Sequence, residues 1–309
     1  MKEIRIFSPA TIANVSCGFD VLGLCLDNTG DEMVIRKVTE PGIRITKIEG
    51  QQLPMEAEKN VAGVAAIKLL QAVEHTGGFE IEIYKKIKPG SGIGSSAASA
   101  AGAVFGINKL LNEPFNANEL VGFAMEGEAL ASGAKHADNV APALLGGFTL
   151  VKGYEPLETL KLNTPSELYA AVIHPQIEVK TADARSVLKQ TVSLKLAVKQ
   201  WGNLAALVSA LYTEDYDLIS RSLTDEIVEP MRSPLIPGYS KVKEAAKLAG
   251  ALGSGISGSG PSIFALTKGR KSAEAVAAAM GEVYQEIGVD FDLHVSAINQ
   301  EGIKILATK

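Results

Sequence analysis

Apolar and polar residues alternate strictly over residues 79–84, Phe-Glu-Ile-Glu-Ile-Tyr, the period of a strand with one buried face. Just ahead, residues 61–74 carry Val61, Val64, Ala65, Leu69, Ala72 and Val73 at three- and four-residue steps. That spacing predicts a helix, which Gly77-Gly78 stops. Shorter apolar runs predict strands over 4–7, 32–37, 43–48 and 148–151, and a helix over 95–111. Another helix begins after Asn116, where Glu119 three residues on completes a capping-box pattern. In the second half the pattern predicts strands over 168–173 (ended by His174-Pro175), 262–267 and 292–298. Helices are predicted there over 181–188, 194–211, 239–249 and 272–287. Turn and linker residues accumulate over 153–165, which divides the chain into 1–155 and 156–309. Strands interleaved with helices, with several hairpin signals, predict an α+β fold in two lobes.

Composition narrows the function. The 309 residues suffice for two ordinary domains, and 46% hydrophobic with only 6% aromatic content predicts an aliphatic, alanine-rich core. A formal charge of −5 argues against general nucleic-acid affinity, which needs a basic footprint, while leaving room for an anionic small molecule. Cys17 and Cys25 lie eight apart without a Cys-x-x-Cys spacing, so no structural zinc is expected, and two free thiols fit a reducing compartment. The start has no apolar run of secretory length and no stretch of 18 apolar residues occurs, so a cytoplasmic protein without membrane association is expected.

The candidate chemistry lies in Lys88-Pro-Gly-Ser-Gly-Ile-Gly-Ser-Ser-Ala-Ala98. Glycines at 90, 92 and 94 let the backbone turn left-handed and approach a ligand closely. The helix behind them offers free N–H groups and its positive dipole end, and Ser95 and Ser96 add hydroxyls where it starts. This combination points to a nucleotide-phosphate cradle formed by Lys88, Pro89, Gly90, Ser91, Gly92, Ile93, Gly94, Ser95, Ser96, Ala97, Ala98 and Ser99. A Walker A loop is excluded because no Gly-Lys-Ser or Gly-Lys-Thr occurs. Residues 92–97 satisfy the loose dinucleotide pattern, but about 20 positions on the chain reads Glu113-Pro114-Phe115 and enters a helix where an acidic strand end is needed. A tightly packed turn without a ligand is the other alternative. Lys85, Lys86 and Lys88 either add positive potential or, for Lys85 and Lys86, form the solvated face of a strand.

Residues 89–98 resemble the signature of the GHMP kinases, and Gly253-Ser-Gly-Ile-Ser-Gly-Ser-Gly-Pro261 resembles that superfamily's C-terminal motif. Ser8 to Gly23 and His136-Ala-Asp-Asn-Val-Ala-Pro-Ala-Leu-Leu-Gly-Gly147 are similar to the N-terminal and central blocks of the homoserine kinase branch. The Gly-Glu-His signature of galactokinases is missing. The resemblance implies an N-terminal lobe like ribosomal protein S5 domain 2, a ferredoxin-like C-terminal lobe, and commonly a homodimer. It implies transfer of the γ-phosphate of ATP to the hydroxyl of L-homoserine, in threonine synthesis, with Mg2+ held by Ser96 and Glu128. Glu126, about 200° around a helix from Glu128, is expected to face elsewhere. Arg185 and Arg232 are assigned to the acceptor's carboxylate, Asn14 and Asp20 to its ammonium and hydroxyl end, and Thr181, His136 and Asn139 to acceptor contact. Asp138 falls where mevalonate and galactokinases place a catalytic aspartate, while homoserine kinases are thought to lack an obvious strong base. Asn60 either contacts adenine or caps the helix that follows it. The competing readings are another small-molecule kinase of the superfamily, mevalonate-like, and a non-catalytic nucleotide sensor.

Overall fold

The computed structural model describes residues 1–179 and 181–309. The first half runs β1 (Glu3–Ala13), β2 (Leu22–Val38), β3 (Gly42–Glu49), α1 (Val61–Gln71), β4 (Gly78–Tyr84), α2 (Ser95–Leu110), α3 (Ala117–Ser132), α4 (Val140–Leu145) and β5 (Phe148–Tyr154). Then follow β6 (Leu157–Leu162), β7 (Leu168–Pro175), α5 (Thr181–Ser186), α6 (Leu194–Thr213), α7 (Tyr216–Ser222), α8 (Glu229–Arg232) and α9 (Tyr239–Leu248). The chain ends with β8 (Gly253–Ile256), β9 (Ile263–Lys268), α10 (Arg270–Ile287), β10 (Phe291–Ala297) and β11 (Lys304–Thr308).

Local sequence explains most of these elements. In β4, Phe79, Ile81 and Ile83 are fully buried while Glu80, Glu82 and Tyr84 stay half-buried, the alternation expected of the strand. The capping box at α3 forms: Asn116 Oδ1 accepts from the Glu119 N–H at 3.1 Å, and Glu119 Oε2 accepts from the Asn116 N–H at 2.8 Å. Helix α2 is buried around nearly its whole circumference, which only small side chains such as Ala97, Ala100, Ala101 and Ala103 allow at close helix and sheet spacing.

Seven strands make the first sheet, ordered β11-β1-β2-β4-β3, with β5 paired to the start of β2 and β6 outside β5. The second sheet is β10-β7-β9-β8, antiparallel throughout. One core lies between the first sheet and α1–α3, joining Ile4, Ile35 and Ile81 to Ala65, Val104 and Val121. Another covers the outer face of the second sheet, where Ala171 and Ile173 meet Val242, Val276 and Met280 from α9 and α10. Between the lobes, a shared core joins Ile12, Leu22 and Leu24 to Ala170, Val172, Phe264 and Leu207. Each fully buried Leu or Ile contributes about 1.5–3 kcal/mol, so the lobes are fastened over a broad apolar face rather than hinged freely. Among the described residues, no helix is long and apolar enough to cross a membrane.

Two features depart from the sequence reading. Strand β2 starts at Leu22, ten residues before the predicted start, and runs through the polar stretch Asp27-Asn28-Thr29-Gly30-Asp31. Those polar residues are tolerated because Asp31 pairs with Lys85 and Asp27 with Lys304. The division at 155/156 cuts the β5–β6 hairpin, whose two strands both belong to the first sheet. Strand β11, unpredicted, also returns there to pair with β1, so the second lobe is inserted within the sheet of the first.

Removing Leu24, fully buried in the shared core, tests this fastening. Leu24→Ala is expected to lower unfolding stability by about 2–5 kcal/mol. Far-ultraviolet circular dichroism and the fluorescence of Trp201 on α6 should still report one coincident transition. Separated transitions would show that the lobes are independently stable.

Candidate active site

The phosphate loop connects β4 to α2 and turns on left-handed glycines, with φ of 74° at Gly90, 82° at Gly92 and 71° at Gly94. At Gly92 the reason is contact as well as conformation. A Cβ there would stand 2.7 Å from the Gly260 carbonyl oxygen and 2.8 Å from that of Ser257, so the loop meets the C-terminal glycine motif backbone to backbone. Ser257 and Ser262 donate from their hydroxyls to the carbonyls of Gly92 (2.7 Å) and Ser91 (2.6 Å). At Gly94, the N-cap of α2, a Cβ would strike Thr11 Oγ1 at 2.1 Å. Pro89, Gly90, Gly92, Gly94, Ser95 and Ser96 line a cleft of about 280 Å3 between the lobes.

Beneath the loop Lys85 and Asp31 form an ion pair whose side chains are only 1% and 0% exposed. Lys85 Nζ also donates to the Ser95 carbonyl (2.8 Å) and to Ser99 Oγ (3.1 Å). Asp31 Oδ1 accepts from the N–H groups of Lys86 (2.7 Å) and Ile87 (2.9 Å). Burial pulls the Lys85 ammonium below its ordinary value, opposed by the charge of Asp31. The solvated-strand reading therefore holds for Lys86, which pairs at the surface with Glu32, and fails for Lys85.

Glu128 on α3 reaches the cleft beside Ser96. Burial pushes its carboxyl up to about 7, against the lowering pull of a hydrogen bond with Ser96 and the charge of Lys85. Ser96 and Glu128 offer hard oxygens of the kind Mg2+ takes, leaving other positions for phosphate and water. They fit such an ion, whose charge would also favour the ionised Glu128. Among the described residues no group of three or more His, Cys, Asp or Glu could hold a metal unaided. Glu126 points away and pairs with Lys135 at 2.6 Å, as the helical angle requires.

The acceptor residues converge at the other end of the cleft. Asn14, Val15 and Ser16 are consecutive non-glycine residues with φ of 70°, 40° and 61°, and Asp20 has 58°, a strained loop of the kind found at ligand sites. Asn14 Oδ1 accepts from the Asp20 N–H (3.0 Å), and its Nδ2 donates to the Gly258 carbonyl (2.7 Å). Arg232 is buried; it donates to the carbonyls of Gly258 (3.1 Å) and Ala184 (2.9 Å) and lies 5.0 Å from the Phe19 ring centre. Arg185 Nη2 donates to His136 Nε2 (2.6 Å) and lies 3.3 Å from Asp20 Oδ1. Its buried Nε has no hydrogen-bond partner among the described residues. Burial, with the positive charges of Arg185 and Arg232, holds His136 below its ordinary value against the opposing pull of Asp20. Asn139 Oδ1 accepts from Thr11 Oγ1 at 2.7 Å, and Thr181 Oγ1 stands 3.4 Å from Ser259 Oγ. Asp138 is buried, and burial, followed by the charges of Asp20 and Glu128, pushes it up to about 7.

Several of the residues expected at the ligand also have structural partners. Asn60 caps α1: its Oδ1 accepts from the Ala62 N–H (3.0 Å) and its Nδ2 donates to the Pro54 carbonyl (2.8 Å), so both ends of the amide are committed to backbone. Ile93, Ala97 and Ala98 face the cores, leaving only their backbone to a phosphate. Ser95 Oγ donates to the Ile87 carbonyl (3.0 Å), and Lys88 reaches across to Gln176 (2.5 Å). Sequence reasoning missed Thr11 and the cleft walls Leu53, Val61 and Ala131. Only Thr11 stood in a recognisable block, three residues before Asn14.

A glycine loop on a helix N-terminus, a hydroxyl–carboxylate pair beside it and a charged pocket beyond define a small-molecule kinase. Family models described as the GHMP kinases N terminal domain and GHMP kinases C terminal match residues 60–147 and 207–286. Homoserine kinase of Chloroherpeton thalassium is 46% identical over 99% of this chain and all of its own, and that of Chlorobaculum tepidum 44% over 100% and 99%. The crystal structure of homoserine kinase from Cytophaga hutchinsonii superimposes with a TM-score of 0.95 at 50% identity, covering 99% of this chain and 98% of the other. The L. major mevalonate kinase structure, at 16% identity and a TM-score of 0.71 over 95% and 96%, shares the fold alone. This chain belongs to the homoserine kinases of the GHMP kinase family.

Glu128→Gln is expected to cut turnover about a hundredfold or more, and Glu126→Gln less than about threefold. The reverse ranking would move the metal assignment to Glu126. Because the folded carboxyl is raised to about 7, its protonated form favours the native state below the ordinary carboxylate range, and that contribution is lost as pH rises through about 7. Glu128→Gln should therefore raise the melting temperature of the nucleotide-free protein at pH 8, with a smaller gain at pH 5. An equal gain at both pH values would show that burial does not set this pKa.

Proposed function

We propose that the chain transfers the γ-phosphate of ATP to the side-chain hydroxyl of L-homoserine, giving O-phospho-L-homoserine on the route to threonine. The observation that carries this reading is the double role of Gly258. Its residue lines the phosphate cleft, and its carbonyl accepts hydrogen bonds from both Asn14 and Arg232 of the acceptor pocket. A pocket with Arg185 and Arg232 on one side and Asp20 with Asn14 on the other suits a zwitterion. Each arginine bond to a carboxylate contributes about 1.5–3 kcal/mol.

Transfer with a loose transition state depends mainly on alignment and on neutralising charge. The main-chain N–H groups of residues 90–96 grip the phosphates, and the Lys85–Asp31 pair holds the first turn of α2 in place below them. Ser96 and Glu128 would hold Mg2+, which supplies neutralisation of the transferring phosphoryl oxygens when bound. The acceptor's hydroxyl is aimed by fixing both charged ends of the amino acid. Asp138, raised to about 7, is able to exchange a proton near neutrality. A loose transition state asks little of it, so Asp138 matters less than Glu128. We also propose a homodimer, supported by the exposed row Leu194, Val198 and Trp201 on α6; a monomer in sedimentation at micromolar concentration would remove that part.

A coupled assay of ADP release, offered homoserine, mevalonate, galactose and serine in parallel, tests the reading. Turnover with homoserine well above the others is expected. Turnover only with a non-amino acid would overturn the acceptor while sparing the fold. Arg185→Ala should weaken use of homoserine at least about tenfold, the loss of about 1.5–3 kcal/mol. Unchanged use would take Arg185 out of the pocket.

A further inference from the structure

The two ends of the acceptor pocket sit on separate pieces of chain. Asn14 and Asp20 come from the loop between β1 and β2, whereas Arg232 ends α8 in the second lobe. On the cleft side these pieces meet at the Gly258 carbonyl. On the opposite side they meet at one residue that belongs to neither, Gln200 of α6.

The Gln200 amide makes three hydrogen bonds. Nε2 donates to the Cys17 carbonyl at 3.1 Å and to Asp225 Oδ1 at 2.9 Å, and Oε1 accepts from the Glu226 N–H at 2.8 Å. With two acceptors on one side and an N–H on the other, only this orientation of the amide satisfies all three. Cys17 stands midway between Asn14 and Asp20 in the strained loop. Asp225, itself buried, is the organiser of the turn into α8: its Oδ1 accepts from the N–H groups of Ile227 and Val228, and its Oδ2 from that of Glu229, all at 2.9 Å. Helix α6 makes a firm base for this tie, because Leu207, Ala210 and Leu211 farther along it are all buried in the shared core. A mostly apolar hollow of about 280 Å3, walled by Phe19, Val21, Trp201, Leu204 and Val228, lies around the tie.

We propose that Gln200 is a positioning residue that holds the groups meeting the acceptor's ammonium at a fixed distance from Arg232, which meets its carboxylate, and so sets how tightly the empty pocket is prepared to grip an α-amino acid. The geometry favours this over simple stabilisation for a specific reason. The inner contacts, at Gly258, Phe19 and Arg185, involve groups that an amino acid itself would engage. The outer tie is independent of the substrate and therefore holds the spacing whether or not the pocket is filled. Freed from Gln200, the 14–20 loop and α8 are joined mainly through those inner contacts, so their separation becomes adjustable. Rotational alignment of the hydroxyl is little affected once an acceptor is seated, and among the described residues no hydrogen bond joins Gln200 to the phosphate loop.

The inference rests on the acceptor-pocket reading above, and the experiment separates the two. Gln200→Met keeps the length and volume of the side chain while removing all three hydrogen bonds; Gln200→Glu removes both donors and sets a carboxylate against Asp225. Steady-state constants for homoserine, serine and ATP are measured for both variants, with Asp20→Ala and Arg232→Ala as references. Gln200→Met should raise the KM for homoserine about tenfold, with kcat and the KM for ATP changed less than about twofold. The KM for serine, which carries the same ammonium and carboxylate on one carbon, should rise by a similar factor, and Gln200→Glu should show the same pattern more strongly. A loss that moves kcat and the KM for ATP together with that for homoserine overturns the positioning role, and so does no change at all. If Asp20→Ala and Arg232→Ala leave the KM for homoserine untouched, the pocket reading has failed instead. Should Gln200→Glu not fold, Gln200→Met alone decides.

Discussion

The buried pair of Lys85 and Asp31 is the interaction on which the catalytic end of the molecule depends. It joins the middle of β2, the end of β4 and the first turn of α2 at one point, directly below the phosphate loop. Such a pair is poor at stabilising a protein, because desolvating both charges offsets most of their attraction. Losing either partner, however, strands the other, at a cost of about 3–5 kcal/mol. The pair therefore works as a lock on geometry. It fixes where α2 begins, hence where the N–H groups of residues 94–96 point, and it supplies positive charge near a glutamate that burial would otherwise keep neutral.

A comparable logic governs the acceptor end. Three left-handed non-glycine residues in succession are costly, and they persist only where the surroundings hold them. Asn14 is held from both sides, by the Asp20 N–H and the Gly258 carbonyl, while Arg232 is held by carbonyls at Gly258 and Ala184. The charged groups that meet an amino acid are thus placed by backbone atoms of both lobes. The broad apolar core between those lobes keeps the two sets in register. Activity and lobe packing are consequently one problem for this chain, not two.

Much of this was legible in the sequence, and the reasons are physical. Glycines at alternate positions before an alanine-rich helix leave few other uses, and the structure finds the loop turning at those glycines. Glu128 was separable from Glu126 by helical angle alone. Lys85 was not legible: a lysine at a strand end looks the same whether it meets water or Asp31, 54 positions earlier. Asn60 had two uses open to it, and capping won because both ends of its amide find backbone partners. Gln200 gave no signal, since two of its three partners are main-chain atoms that no pattern of side chains reveals. The long β2 was hidden by polar residues whose partners lie in distant strands.

The return of β11 to the first sheet has a consequence for how the chain is made. During synthesis from the N-terminus, β1 emerges first and finds β2 quickly, but its other flank must wait. The strand that covers it leaves the ribosome only after the whole second lobe has been translated. For that interval the growing chain carries an open strand edge, a ready template for mispairing with neighbours. Arg5 and Lys2, charged residues along β1 or just before it, are the kind of side chain that makes such an edge unattractive to another chain until Lys304–Thr308 arrives.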